Sequence, residues 1–403
     1  MFKRTYIFIC FALCFYLGYS QQKHEEKPYL IIVSLDGFRW DYPEIYKLPV
    51  LDSISKVGVK AKSLKSCFPT VTFPNHYSIA TGLYPDEHGI VQNQFYDSKL
   101  DRSYKIGDKK AVADGRFYGG EPIWVTAEKQ GIKTATFYWV GSEAEIKGIR
   151  PSYWKPYENT IPFHQRVDTI THWLQLPDSL RPHLILFYLP EPDAVSHEYG
   201  TISQETGLMV RYLDSIVGIL INNVSRLDVA AKVNYIILSD HGMADLDSNK
   251  LIVLENYIKP SWVKKYYGYN PTYNIAANDN CADSIYYALK KIKHLKVWKK
   301  GKLPKRLKYG NNDRIGDIVL VARNGWSVSP KGGAKPYGGA HGYDNSVKDM
   351  HGIFYALGPA FKKNYKAKTF ENIYIYSIAA KILNIEPSVY HNKFKQLNRI
   401  IKH

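Results

Sequence analysis

Three apolar runs rich in β-formers each end beside a carboxylate. Residues 29–34 (YLIIVS) precede Asp36, residues 183–189 (HLILFYL) precede Asp193, and residues 233–239 (VNYIILS) precede Asp240. Continuous apolar runs of this length suit strands buried on both faces, as in a parallel sheet covered by helices. Helical or loop segments separate them, so the chain reads as an α/β protein with a mostly parallel sheet. In open α/β sheets ligands bind beyond the carboxyl ends of the strands. Three such ends bring three acids from distant sequence into one crevice.

The 403 residues are enough for one large or two modest domains. With 45% hydrophobic and 14% aromatic residues, disorder over most of the length is excluded. No repeat or low-complexity linker divides the chain, so residues 21–403 are expected to form a single domain. Segments near 94–130 and 245–335 fit the sheet poorly and read as insertions beside the crevice, suited to substrate selection rather than chemistry.

The formal charge is +17, and residues 290–308 hold ten Lys/Arg and no acid. Nucleic-acid or membrane-surface binding is one reading of that tract. The favoured one is a solvated segment that concentrates anionic substrate, because the aromatic interleaving of a base-stacking platform is missing. No stable nucleic-acid complex is expected.

Lys3 and Arg4, an apolar stretch over residues 7–18 and Gly18-Tyr19-Ser20 read as a secretory signal cleaved after Ser20. The stretch is shorter than the roughly 20 residues of a spanning helix, and nothing later is apolar enough to span. The mature chain is thus expected without a transmembrane segment, in a periplasm or outside the cell. Removing the signal leaves Cys67 and Cys281, whose pairing stays open, and no cysteine cluster for a metal.

Metal ligands must therefore be His and carboxylate. Asp240-His241-Gly242 follows a strand directly, and Asp193 and His197 share a face if their segment is helical. His341-Gly342-Tyr343-Asp344 lies in a Gly-rich stretch, and Asp36 is followed by Gly37, which permits close backbone approach. Singly these signals are weak: Asp36 alone reads as a helix N-cap, and His341 alone as a loop histidine. Three Asp and three His at strand ends and turns together suit zinc with open positions. In Thr72-Phe73-Pro74, the proline fits the first turn of a helix. Thr72 then sits at a helix N-terminus, either as a cap or as a hydroxyl where a phosphate is favoured.

A resemblance joins these pieces. Leu35-Asp36-Gly37-Phe38-Arg39, Thr72-Phe73-Pro74-Asn75-His76-Tyr77, Thr81-Gly82-Leu83-Tyr84-Pro85 with His88-Gly89, Gly120-Glu121-Pro122-Ile123-Trp124, Glu191-Pro192-Asp193, Ser239-Asp240-His241-Gly242-Met243 and His341-Gly342-Tyr343-Asp344-Asn345 occur in this order. The set resembles the ectonucleotide pyrophosphatase/phosphodiesterase family of the alkaline phosphatase superfamily. That resemblance implies a three-layer α/β/α sandwich and two zinc ions. Asp193, His197 and His341 would hold one ion; Asp36, Thr72, Asp240 and His241 the other. It further implies Thr72 as nucleophile, Asn93 as donor to a phosphate oxygen, and Phe73, Trp139 and Tyr157 as aromatics around a nucleobase. Two departures leave base preference open: no lysine near the base is placed between Tyr96 and Gly119, and the extra domains of the largest relatives have no counterpart.

The implied activity is hydrolysis of nucleotide-type phosphodiester or pyrophosphate bonds through a covalent phosphothreonine. The Phe73 N–H and Asn93 are expected to donate to the non-bridging oxygens. A choline-headgroup phosphodiesterase and a phosphate monoesterase are rivals on the same scaffold. A sulfatase needs Cys or Ser where this chain has Thr72, and a non-catalytic binding protein would not be expected to keep all seven ligand positions.

Overall fold

A computed structural model describes residues 27–391 and 394–402. The expected signal at 1–20, with its cleavage after Ser20, lies outside the described residues. Eight strands form the main sheet: β1 (Tyr29–Leu35), β2 (Val59–Ala61), β3 (Thr134–Phe137), β4 (Tyr153–Lys155), β5 (Leu184–Leu189), β6 (Val233–Leu238), β7 (Phe354–Leu357) and β8 (Tyr365–Ala367). Their spatial order is β8-β2-β7-β6-β1-β5-β3-β4. All pairings are parallel except those of β7 with β6 and β2.

The three runs that end beside acids are the central strands β6, β1 and β5. Their registers, Leu35 opposite Leu189 and Ser34 opposite Leu238, align their carboxyl ends. Every residue of β1 is buried, as a strand covered on both faces requires. Its side chains alternate between two cores. Leu30 and Ile32 join helices α2 (Thr72–Thr81), α3 (Ile123–Lys129) and α7 (Tyr374–Leu383). Ile31, Val33 and Leu35 join α1 (Pro49–Val57), α4 (Phe163–Gln175) and α6 (Gln204–Val224). This is the expected three-layer sandwich. In α6, Leu213, Ile216, Val217 and Leu220 follow helical spacing, and the Ser203 side chain caps the start by accepting from the Thr206 N–H. Such a cap stabilises by about 1 kcal/mol. A short helix, α5 (Asp193–Tyr199), starts four residues after the end of β5.

Residues 94–105 form a two-stranded hairpin. A separate four-stranded antiparallel sheet of Val263–Tyr269, Thr272–Ala277, Ile318–Ala322 and Leu295–Lys299 occupies much of 245–335. The basic tract supplies its edge strand, Leu295–Lys299. Cys67 and Cys281 are both free thiols, so the disulfide left open by the sequence does not form.

Candidate metal centre

Asp36 is the first residue past β1, and its N–H donates to the Leu189 carbonyl, closing the turn against β5. It caps no helix. Gly37 follows at φ +67, and a Cβ there would lie 3.0 Å from the Asp193 Cα, Cβ and Oδ1. Only glycine lets the two strand ends approach this closely. Asp240 stands two residues beyond β6, and its Oδ1 accepts from the Gly37 N–H at 3.3 Å.

These placements form two groups of three. Ligand atoms of Asp193, His197 and His341 lie within 4.8 Å of one another, and so do those of Asp36, Asp240 and His241. Asp193 and His197 are one helical turn apart on α5, 3.5 Å between Oδ2 and Nε2. His341 arrives on a two-residue ladder in which Ala340 pairs with Ala244, just past His241. Its ring stacks on His241 at 3.7 Å and joins the two groups.

Each of the three imidazoles places Nδ1 on a backbone carbonyl: His197 on Gly339 at 2.8 Å, His241 on Gly242 at 2.9 Å and His341 on Thr70 at 2.9 Å. A carbonyl only accepts, so Nδ1 carries the proton and Nε2 keeps its lone pair. The carboxylates match this. Asp36 Oδ1, Asp193 Oδ1 and Asp240 Oδ2 are buried and accept no hydrogen bond among the described residues.

The electrostatics are those of a cation site. Burial, then Asp240 and Asp193, push the Asp36 carboxyl well up; burial and Asp193 do the same to Asp240. Burial and the neighbouring His341 hold His241 well below its ordinary value, and burial lowers His341 to about 4. Clustered carboxylates repel and neutral imidazoles cannot compensate, so divalent cations would relieve what the protein alone leaves unpaid. The donor set of Asp and His fits such ions.

Thr72 is the first residue of α2, while Val71 occupies the cap. The reading of Thr72 as a mere cap is therefore corrected. Its Oγ1 lies 3.3 Å from His241 Nε2, facing the Asp36 group. The Phe73 N–H does not stand free as expected: it donates to Asn93 Oδ1 at 3.0 Å. Because an N–H needs an acceptor, this bond fixes the Asn93 amide with Nδ2 as its remaining donor.

The three aromatics separate. Phe73 is half-buried and packs edge-on against Tyr104 of the hairpin. Tyr157 is 42% exposed, 6.5 Å from the Tyr188 ring. Trp139 is only 2% exposed, and its indole N–H donates to the His76 carbonyl. It braces the His76 turn from beneath instead of offering a face to a base, which corrects the expectation.

Sequence reasoning passed over two supports. The Tyr188 hydroxyl donates to Asp36 Oδ2 at 2.6 Å; a lone hydroxyl next to the end of the apolar run of β5 was the available signal. His76, in the quoted Thr72 motif, bonds Ser34 Oγ through Nε2 at 2.8 Å and turns Nδ1 to the Thr72 carbonyl at 3.0 Å. The 245–335 segment also does more than flank the crevice. Lys296 and Arg306 of the basic tract clamp Asp344, three residues past His341, with Arg306 bidentate at 2.8 and 2.6 Å. Thr272 donates to the Gly342 carbonyl in the same loop.

A family model described as type I phosphodiesterase/nucleotide pyrophosphatase matches residues 30–344. Human ectonucleotide pyrophosphatase/phosphodiesterase family member 1 is 37% identical over 398 residues, covering 94% of this chain and 42% of that protein. Venom phosphodiesterase 2 of Crotalus adamanteus is 36% identical over 389 residues, covering 94% and 48%. The chain thus spans a little under half the length of these curated relatives. Murine ectonucleotide pyrophosphatase/phosphodiesterase 5 superposes with a TM-score of 0.88 at 32% identity, covering 93% of this chain and 100% of that one. An inactive variant of that murine protein in complex with AMP matches equally.

Proposed function

Because the chain belongs to the type I phosphodiesterase/nucleotide pyrophosphatase family, we propose that it is an exported hydrolase of nucleotide phosphodiester or pyrophosphate bonds, releasing nucleoside 5′-monophosphates. The observation that carries this reading is the pair of Asp/His groups, each histidine presenting Nε2, with the Thr72 hydroxyl beside one of them. Asp193, His197 and His341 would hold one zinc ion, and Asp36, Asp240, His241 and Thr72 the other. When bound, the ions supply positive charge that lowers the pKa of the Thr72 hydroxyl and of the leaving oxygen's conjugate acid.

Thr72 Oγ1 forms a bond to phosphorus as the bond to the leaving oxygen breaks, giving a phosphothreonine diester. The hydroxyl proton leaves to solvent. Water then cleaves the Thr72 ester, restoring the hydroxyl and releasing the monophosphate. Asn93 Nδ2, oriented by the Phe73 N–H, donates to a non-bridging oxygen and favours its growing charge. The AMP complex of the murine relative supports a nucleotide substrate, and the exposed Tyr157 and half-buried Phe73 are suited to pack against a base. The basic surface favours anionic nucleotides over zwitterionic choline lipids. Export rests on residues 1–20; among the described residues no helix is long and apolar enough to cross a membrane.

Purified protein should carry close to two zinc ions by elemental analysis and lose activity on exhaustive chelation. It should cleave a p-nitrophenyl nucleotide more efficiently than p-nitrophenyl phosphorylcholine or p-nitrophenyl phosphate. A preference for phosphorylcholine would move the assignment to a headgroup phosphodiesterase.

A further inference from the structure

Arg166 of α4 has no exposed surface, and neither Nη1 nor Nη2 meets a hydrogen-bond partner among the described residues. Its Nε–H donates to the Ile161 carbonyl at 2.8 Å. The guanidinium lies 4.8 Å from the Phe163 ring centroid and 5.0 Å from that of Tyr138. An unpaired buried cation is unfavourable, and stacking on two rings offsets only part of its lost hydration. Burial accordingly pulls the Arg166 pKa below its ordinary value.

Tyr138 adds a second unfavourable feature. Its φ of +67 lies in the left-handed region, where a bulky residue is strained. Strain and uncompensated charge persist where the surroundings enforce them, and they gather at functional sites. Here they meet beside the candidate site. The Tyr138 ring is 5.1 Å from that of Tyr157, and Tyr157 neighbours Tyr188, whose hydroxyl holds Asp36. Phe163, Arg166, Tyr138 and Tyr157 therefore form a continuous series from a buried arginine on α4 to an exposed ring at the rim of the site.

We propose that Arg166 is a positioning residue for substrate selectivity: its planar cation seats Tyr138, and through Tyr138 holds the exposed Tyr157 ring where the aromatic part of a substrate packs. A lysine could supply the charge but not the flat face that lies against two rings. Because Arg166 touches neither ligand group nor Thr72, its loss should spare metal loading and the chemical step. The inference rests on the nucleotide reading above.

The test compares zinc-loaded full-length wild type with Arg166→Met, Arg166→Lys, Tyr157→Ala and the Arg166→Met/Tyr157→Ala double variant. Substrates are p-nitrophenyl thymidine 5′-phosphate and bis(p-nitrophenyl) phosphate. Both Arg166 variants should raise KM for the nucleotide about fivefold or more, the lower end of what one stacked base contributes. Zinc content should stay at the wild-type value, with kcat on bis(p-nitrophenyl) phosphate within about twofold. The double variant should be no worse than Tyr157→Ala, since both act through one ring. If Arg166→Met fails to fold, Arg166→Lys carries the comparison. Equal losses on both substrates, additive losses in the double variant, or a wild-type nucleotide KM in Arg166→Lys would overturn the proposal. Tyr157→Ala without effect on the nucleotide would overturn the base-packing reading and this inference with it. A Tyr157→Ala effect with none from Arg166 would overturn this inference alone.

Discussion

Thr72 begins a helix whose cap is the apolar Val71, so its hydroxyl caps no backbone and faces His241 instead. Thr72→Ala should abolish turnover of any diester while leaving most zinc bound, because Asp36, Asp240 and His241 remain. Thr72→Ser keeps an oxygen there and should retain part of the rate. Near-normal hydrolysis by Thr72→Ala would make water the nucleophile. Asn93 poses a separate question, since its Oδ1 is held by the Phe73 N–H and only Nδ2 is left to a ligand. Asn93→Ala should lower kcat by about 10²- to 10³-fold, the usual loss of one oxyanion donor. A change confined to KM would reduce Asn93 to a binding contact.

At the scale of elements, His341 depends on a ladder of only two residue pairs, Ala244 with Ala340 and Asp245 with Gly339. So short a ladder does not fix a loop by itself. Thr70 and Thr272 bond the His341–Gly342 backbone and ring, and a further hold is Asp344, gripped by Lys296 and Arg306 from the edge of the inserted sheet. Both cations are about half exposed, so solvent screens them, but the acid between them is 6% exposed. The double substitution Lys296→Ala/Arg306→Ala should release one zinc at several-fold lower chelator concentration than wild type, with the second zinc little changed. An unaltered chelator titration would show that the loop holds His341 without the clamp.

For the whole molecule, the sandwich gathers three acids, and for two of them, Asp36 and Asp240, burial disfavours the ionised form. In the metal-free protein Asp36 and Asp240 have folded pKa values above their unfolded ones. Such groups bind protons more tightly when folded, so their contribution to stability is lost as pH rises from the ordinary carboxylate range through the raised values. His341 has the opposite sign. Its folded value of about 4 lies below the unfolded one, so its contribution is present near neutrality and lost as pH falls through that window. Bound cations favour ionised carboxylates and neutral imidazoles together. The gap in Tm between zinc-loaded and chelated protein should therefore widen by several degrees from about pH 5.5 to about pH 8. A gap independent of pH would mean that these side chains do not take up the metal.

The sequence by itself determined the sheet, because strands buried on both faces must be apolar throughout, and β1, β5 and β6 are readable as such runs. It also determined the residue types at the strand ends, since local order places Asp36 after Leu35 and Asp240 after Ser239 whatever the rest of the chain does. Tertiary structure decided what local order cannot carry. It took Trp139 into the core beneath His76, because a large indole beside an open crevice is indistinguishable in sequence from one that fills the layer below. It gave the Phe73 N–H to Asn93, a bond across 20 residues that no spacing announces. It set Asp344 between two lysine-tract cations 38 and 48 residues away, turning what reads as free surface charge into a clamp on a ligand loop. Each of these is a long-range contact, and such contacts depend on shape after packing, not on the order of residues.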